Sequence, residues 1–257
     1  MNRKILLSVI CLLVLAVSGC GWWKDVSEWW RPPDMARATP EALYKRGAEQ
    51  YQEGRYKKAA DSFRRVKELF PLHALAVNAE LGIADSYFSD ESYLEAEAAY
   101  SDFISLHPTN ENLPYAMYQL GMCHYNQIVS IDRDQTDTVA AKQAFEKLIT
   151  RFPGSKFSFL AERHLQECRK KLAEKEFYVG NFYFKQGKYK AALSRFEAIA
   201  NEYPGIGLDY KVAYFIEESK KRLTNQEAAE KIKKEKEEKA KEKQKEKERM
   251  AKEKEKP

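Results

Sequence analysis

The sequence predicts an all-α solenoid of about ten helices, because one pattern of residues occurs four times in the central part of the chain. Each copy ends in a proline, with an aromatic residue eight positions earlier and an alanine twelve positions earlier. The four sets are Pro71 with Phe63 and Ala59, Pro108 with Tyr100 and Ala96, Pro153 with Phe145 and Ala141, and Pro204 with Phe196 and Ala192. Such repetition indicates stacked helix pairs that bury their apolar faces against one another.

This pattern resembles that of tetratricopeptide repeats. Three copies also have a small residue 24 positions before the proline, and these residues are Gly47, Ala84 and Gly180. In the third copy the matching Gly121 lies 32 positions before the proline, so eight additional residues are expected near 129–136. A small residue lets paired helices approach closely, the aromatic ring fills the space between pairs, and proline ends the second helix.

The predicted helices follow from this register and from local signals. Thr39 and Pro40 are typical of a helix start, and Gly54 and Gly187 are expected in turns between paired helices. The long spacing after Pro153 leaves room for one additional helix. The expected helices are 40–53 with 56–70, 74–89 with 93–107, 114–128 with 138–152, an additional 156–172, 174–186 with 189–203, and a closing 209–223.

Residues 1–19 have the features of an export signal. A short basic start precedes an apolar run over 5–17, which is too short to span a membrane. The stretch Val-Ser-Gly-Cys at 17–20 resembles the lipobox of bacterial lipoproteins, which implies cleavage before Cys20 and N-acyl and S-diacylglycerol groups on that residue. Gly21 rather than Asp follows, so the resemblance favours the outer membrane. An ordinary secretory signal and an uncleaved anchor are the alternatives.

Residues 20–39 are predicted to be a lipidated linker to the repeats, and they contain all four tryptophans. Indole rings favour the headgroup layer of a membrane, although packing on the protein or on a partner explains them equally well. Two internal cysteines, Cys123 and Cys168, occupy equivalent places on successive helices. Neighbouring helix axes lie roughly 8 to 10 Å apart, which is too far for a disulfide, so we predict two buried thiols.

The charges argue against a nucleic-acid partner, because residues 20–223 carry 29 basic and 29 acidic groups. No His pair has metal-binding spacing. The loop 132–137 is a poor calcium site, because Arg133 adds a cation and its sixth residue is not glycine. We therefore predict no catalytic residues, no metal and no cofactor apart from the lipid. Residues 224–257 are mostly Lys and Glu, which indicates either a solvated helix or a contact with peptidoglycan or lipid headgroups.

Aromatic residues on the first helices of the repeats predict a groove that binds peptides. The positions expected on the inner curve are Tyr44, Tyr51, Leu81, Phe88, Tyr118, Tyr125, Phe177 and Phe184, and Tyr115 lies one turn before Tyr118. Rigid rings suit an extended peptide because they offer contact area at little entropic cost. The predicted binding residues are Tyr44, Tyr51, Phe88, Tyr115, Tyr118 and Tyr125. The alternative is that these rings are packing residues.

Together these features resemble the BamD-type outer-membrane β-barrel assembly lipoproteins over roughly 20–223. The likeness is carried by the lipobox at Cys20, the stretch 114–121, the insertion with Arg-Asp-Gln-Thr at 133–136, and Leu-Ala-Glu-Lys-Glu at 172–176, which leads to Tyr189 and Arg195.

The resemblance implies a lipid-anchored subunit on the periplasmic face of the outer membrane, with the other lipoproteins of the assembly complex among its partners. Repeats in 40–153 would bind unfolded outer-membrane proteins, and repeats in 154–223 would bind the insertase BamA. Arg195 matches an arginine that the family links to communication with the insertase. A scaffold lipoprotein for cell division, peptidoglycan or pilus assembly would share the anchor and the repeats, and this alternative stays open.

Overall fold

The computed structural model describes residues 38–254, and all regular secondary structure in that range is helical. Its helices are α1 (Pro40–Gln52), α2 (Tyr56–Leu69), α3 (Ala74–Ser89), α4 (Tyr93–Leu106), α5 (Leu113–Asn126), α6 (Thr136–Arg151), α7 (Lys156–Lys185), α8 (Tyr189–Glu202) and α9 (Asp209–Lys254). The all-α class is confirmed. The predicted signal, Cys20 and the tryptophans of the linker lie outside the described residues.

The helices belong to two compact units. The first unit ends at Asp90 and contains α1 to α3, and the second begins at Glu91 and contains α4 to α9. The division therefore falls between α3 and α4, which the sequence predicted as one pair. Within 38–254, Glu91 is the one residue other than glycine with a positive φ, at 60°.

In the first unit, local signals fix the helix ends as predicted. The Thr39 hydroxyl accepts a hydrogen bond of 3.1 Å from the backbone N–H of Ala42, and Pro40 occupies the first turn of α1. Gly54 makes the turn to α2 with φ at 73°. The buried ring of Phe63 lies so close to α1 and α3 that a Cβ at Gly47 or Gly82 would come within 2.8 Å of it.

The second unit repeats this contact between glycine and an aromatic ring. A Cβ at Gly121 would lie 2.5 Å from the ring of Phe145, and a Cβ at Gly180 would lie 2.8 Å from the ring of Phe196. Both rings are fully buried. The small residue of the repeat therefore makes room for the aromatic residue of its partner helix, so this ring packs within a pair of helices as well as between pairs.

Helix α7 corrects the prediction of separate helices at 156–172 and 174–186. The 30 residues of α7 form one continuous helix, so nine helices rather than ten lie in the described range. The physical reason is that Leu172, Ala173 and Glu174 are strong helix formers, with no proline or glycine to end a helix there. Helix α7 joins two cores: Ala161 and Cys168 pack with α5 and α6, whereas Ala173 and Phe177 pack with α8 and α9.

Helix α9 runs far beyond the closing helix expected at 209–223. Val212 and Ser219 are buried, whereas every residue from Thr224 to Lys247 is exposed. Of the two interpretations of the tail, the structure shows the helical one, which leaves a contact with an external surface open. None of the helices within 38–254 is long and apolar enough to span a membrane.

Candidate protein-binding surfaces

Three of the predicted groove residues form an aromatic cluster with α7. We define the α5–α7 aromatic cluster as Tyr115, Tyr118, Tyr125, Phe145, Phe157 and His164. Ring centroids lie 5.4 Å apart for Tyr115 and Phe157, 5.9 Å apart for Tyr118 and Phe157, and 4.6 Å apart for Tyr125 and His164. The three tyrosines are half-buried, so each combines a packing role with a surface that a ligand could contact.

The hydroxyl of Tyr125 ties this cluster to a charged residue of α7. It donates a hydrogen bond to Oε2 of Glu167, which holds the pKa of the Glu167 carboxyl below its ordinary value. The same bond is the largest cause that raises the pKa of Tyr125 to about 12. Tyr125 and Glu167 line a cleft of about 430 Å³ together with Lys170 and Lys171.

In the first unit, Tyr44, Tyr51 and Phe88 are half-buried. The ring of Tyr44 lies 5.2 Å from that of Phe63, and the hydroxyls of Tyr51 and Ser89 form a hydrogen bond of 2.7 Å. These three residues belong to a different unit from the α5–α7 aromatic cluster.

Two further positions of the predicted inner curve are packing residues. Leu81 is 8% exposed and Phe177 is 9% exposed, so both belong to the core. Phe184 is half-buried, and the guanidinium of Arg222 lies 4.7 Å above its ring. For Leu81 and Phe177, the alternative of packing residues is therefore the correct one.

A larger cleft lies between the insertion and α7. It has a volume of about 740 Å³ and is lined by residues of both motifs that carried the family resemblance, 133–136 and 172–176, together with Tyr203 and part of α6. The amine of Lys175 donates a hydrogen bond of 3.3 Å to the backbone carbonyl of Arg133. The two motifs lie far apart in the sequence but line the same cleft, which we call the insertion cleft.

The backbone of the insertion is held by hydrogen bonds from one buried side chain, that of Gln135. Its Nε2 donates hydrogen bonds to the carbonyls of Ser130 at 2.9 Å, Asp134 at 3.2 Å and Arg133 at 3.3 Å. Its Oε1 accepts a bond of 2.8 Å from the hydroxyl of Thr138. Buried amide groups need such partners, so Gln135 fixes the backbone of the loop on the cleft.

Charged side chains surround the mouth of the insertion cleft. The exposed carboxyls of Asp132 and Asp134 have lowered pKa values, because they accept hydrogen bonds from the side chains of Ser130 and Thr136 respectively. Arg195, on α8, donates a hydrogen bond of 2.9 Å to Oε2 of Glu176, which lines the cleft. Arg195 is itself exposed, so its guanidinium lies at the edge of the cleft and within reach of another molecule.

The two internal cysteines are buried and free, as predicted. Burial raises the pKa of each thiol to about 12, so both stay protonated near neutral pH and are poor nucleophiles.

The comparison with protein families decides the identity. Residues 36–235 match the model of the YfiO family, described as an outer membrane lipoprotein. The chain belongs to this family. The matched region contains every groove residue named above, the insertion cleft and Arg195.

Several relatives of this family carry the same name. The outer membrane protein assembly factor BamD of Rickettsia prowazekii is 31% identical over 226 residues, which cover 88% of this chain and 87% of the relative. That of Neisseria meningitidis serogroup B is 30% identical over 215 residues and 78% of each chain. Among solved structures, a thermophilic tetratricopeptide-repeat protein of Thermus thermophilus covers 69% of this chain at 15% identity, with a TM-score of 0.39.

Sequence reasoning missed the part of the aromatic cluster that α7 contributes. Phe157 and His164 were not singled out, although they lie seven residues apart, as do Tyr118 and Tyr125. Residues seven apart return to the same face of a helix, so two such pairs indicate helix faces that can pack on each other. The adjacency of the two family motifs had no comparable signal.

Proposed function

We propose that this protein is an outer-membrane protein assembly factor that holds other polypeptides on its helical surfaces and performs no covalent chemistry. The observation that carries the proposal is that both motifs typical of the family line one cleft, with Arg195 at its edge. The names of the relatives and the family description, an outer membrane lipoprotein, support the same role.

The proposed arrangement has an anchor and two binding regions. N-acyl and S-diacylglycerol groups on Cys20 would tether the protein to the periplasmic face of the outer membrane, beside the other lipoproteins of the complex. In each unit by itself, the half-buried aromatic residues would bind the aromatic-ended terminal strand of an unfolded outer-membrane protein. The insertion cleft and Arg195 would contact the insertase BamA. Confinement to one membrane surface would raise the effective concentration of both partners.

The insertase contact is tested by charge reversal at Arg195. Because Glu176 already faces this position, Arg195→Glu would set two carboxylates against each other and remove the exposed cation. We expect the amount of BamA recovered with the tagged protein from detergent-solubilised membranes to fall at least tenfold. Lys147→Glu, an equal charge reversal at an exposed position of α6, is the matched control and should leave recovery unchanged.

The outcomes of this experiment separate the two candidate functions. Recovery of BamA with the unmodified protein supports an assembly factor, whereas its absence favours a scaffold lipoprotein for another envelope process. Equal recovery with Arg195→Glu and with the unmodified protein would place the contact elsewhere on the surface.

The peptide contact is tested at the α5–α7 aromatic cluster. Replacing both Tyr118 and Tyr125 with alanine should weaken binding of a peptide with the terminal strand sequence of a barrel protein by about tenfold or more, which corresponds to about 1.4 kcal/mol. The measurement is fluorescence anisotropy of the labelled peptide, with helix content checked by circular dichroism. Tyr183→Ala removes a half-buried tyrosine that packs with α8 and α9 instead, so it is the matched control. Unchanged affinity in the double variant would exclude these rings as a binding surface.

A further inference from the structure

The insertion cleft is lined by one face of each of two helices. On α7 the lining includes Leu172 and Glu176, which lie four positions apart. On α6 the lining residues are Thr136, Val139, Ala140 and Gln143. Residues three, four and seven positions apart lie on the same side of a helix, so each set forms a continuous strip. The two strips and the insertion therefore border one space.

Most polar side chains of this lining already have partners within the chain. The amide of Gln135 bonds to the insertion itself. The amine of Lys175 bonds to the carbonyl of Arg133, and the carboxylate of Glu176 accepts a bond from Arg195. The two aspartates of the insertion accept bonds from neighbouring hydroxyls. A polar group of a ligand would have to replace one of these bonds, so it would gain little free energy on entering the cleft.

The charges around the insertion cleft balance. Three cations lie in the lining or at its edge, and they are Arg133, Lys175 and Arg195. Three carboxylates line the same cleft, and they belong to Asp132, Asp134 and Glu176. A charged group of either sign therefore meets no excess of the opposite charge inside the cleft. Charge complementarity favours a neutral group in the centre, although Arg195 stays available at the edge.

The remaining surface of the cleft is apolar. It consists of Val139, Ala140 and Leu172, together with the half-buried ring of Tyr203. Val139 is 41% exposed, although valine is a weaker helix former than alanine or leucine, so helix stability does not account for a valine at this position. The volume of about 740 Å³ lies within the range of roughly 300 to 1,000 Å³ that is typical of binding pockets.

We propose that the insertion cleft holds an uncharged aromatic or aliphatic anchor side chain of the insertase. The internally paired polar groups and the balanced charges disfavour a polar or charged anchor, whereas the strip with Val139 and Leu172 offers apolar contact. Protein interfaces depend on a few side chains of this kind, which fill pockets from which a rim of other residues excludes water. The inference rests on the proposed insertase contact, and it adds the chemistry of the group that the cleft receives.

The first test fills the cleft with a side chain of this protein. Ala140→Phe places a ring on the α6 strip and leaves the bonds of Gln135 and Arg195 in place. We expect recovery of BamA with the tagged protein from detergent-solubilised membranes to fall by about tenfold or more, because the anchor loses its space. Ala98→Phe, which adds the same ring at an exposed alanine of α4, is the matched control and should recover BamA as the parent does.

The second test changes the chemistry of the cleft without filling it. Val139→Asp puts a carboxylate on the apolar strip at a position that water already reaches, so the fold should tolerate it. We expect a similar loss of BamA recovery, because an apolar anchor would have to remove water from this carboxylate. Ala98→Asp adds the same charge outside the cleft and should leave recovery unchanged. Circular dichroism should show the same helix content in the parent and in all four variants.

The outcomes separate this inference from the proposed function. Loss of BamA with Val139→Asp and with a folded Ala140→Phe, but with neither Ala98 variant, would support the anchor. Normal recovery with Val139→Asp would overturn it, and a simultaneous loss with Arg195→Glu would still leave the insertase contact at the edge of the cleft. An equal loss with Ala98→Asp would overturn it as well, because added charge alone would then explain the effect. Absence of BamA from the parent sample would reject the insertase contact itself, and the anchor with it.

Discussion

Replacing Phe145 with alanine is expected to lower the free energy of unfolding of the second unit by about 3 to 5 kcal/mol. The ring is fully buried and contacts three aromatic side chains, with centroid distances of 5.7 Å to His164, 6.1 Å to Tyr118 and 6.4 Å to Tyr125. The ring also lies against Gly121, which has no side chain to fill the cavity. The loss therefore combines hydrophobic transfer, packing and an empty volume between α5, α6 and α7.

Urea unfolding followed by far-ultraviolet circular dichroism measures this change. Phe159→Ala is the matched control, because Phe159 is 63% exposed on α7 and its removal leaves no cavity. We expect the control to change the free energy of unfolding by no more than about 0.5 kcal/mol. A loss below about 1 kcal/mol for Phe145→Ala would contradict the packing described for the α5–α7 aromatic cluster.

The repeat register was predictable from sequence because it reflects direct contacts. Phe63, Phe145 and Phe196 each lie against a glycine of a preceding helix, and a side chain at that glycine would overlap the ring. A strict steric requirement of this kind leaves a fixed spacing in the sequence. The turns at Gly54 and Gly187 were predictable for the same reason, because their positive φ values of 73° and 71° favour glycine.

The continuity of α7 was not predictable from the same pattern. A change in repeat spacing shows that residues are added, but it does not show whether they begin a new helix or extend an existing one. Residues 172–174 contain neither a cap nor a breaker, and the two cores along α7 are visible only in three dimensions. The end of α9 is a similar case, because no packing distinguishes an exposed charged helix from a coil.

Individual residues of the candidate site were predicted from the sequence, but their contact partners on other helices were not. The sequence singled out Tyr118, Tyr125 and Arg195, but not their partners His164, Glu167 and Glu176 in these contacts. Periodicity identifies residues on one helix face, whereas the partner across a helix interface depends on how two helices are aligned. The insertion cleft depends on such an alignment, because its walls lie on a loop and on a helix that are separated by about 40 residues.

Replacing Gln135 with alanine is expected to release the insertion and lower the free energy of unfolding by about 1 to 3 kcal/mol. The carbonyls of Ser130, Arg133 and Asp134 would lose their shared donor, and the hydroxyl of Thr138 would lose its acceptor. Alanine cannot reach any of them, so water must enter or the loop must move. Hydrogen exchange measured by mass spectrometry should therefore show faster exchange in 130–138, while exchange in α8 stays as in the parent.

Gln143→Ala provides the matched control for the release of this loop. Gln143 lines the same cleft from α6, but it is exposed and no bond from its side chain holds the insertion. Because removal of the Gln143 side chain leaves the hydrogen bonds of Gln135 intact, hydrogen exchange in 130–138 should be unchanged. If the insertion forms one wall of the insertase contact, Gln135→Ala should also reduce recovery of BamA, although Arg195 and Glu176 remain in place. Normal recovery with a demonstrably released loop would restrict that contact to the α7 and α8 side of the cleft.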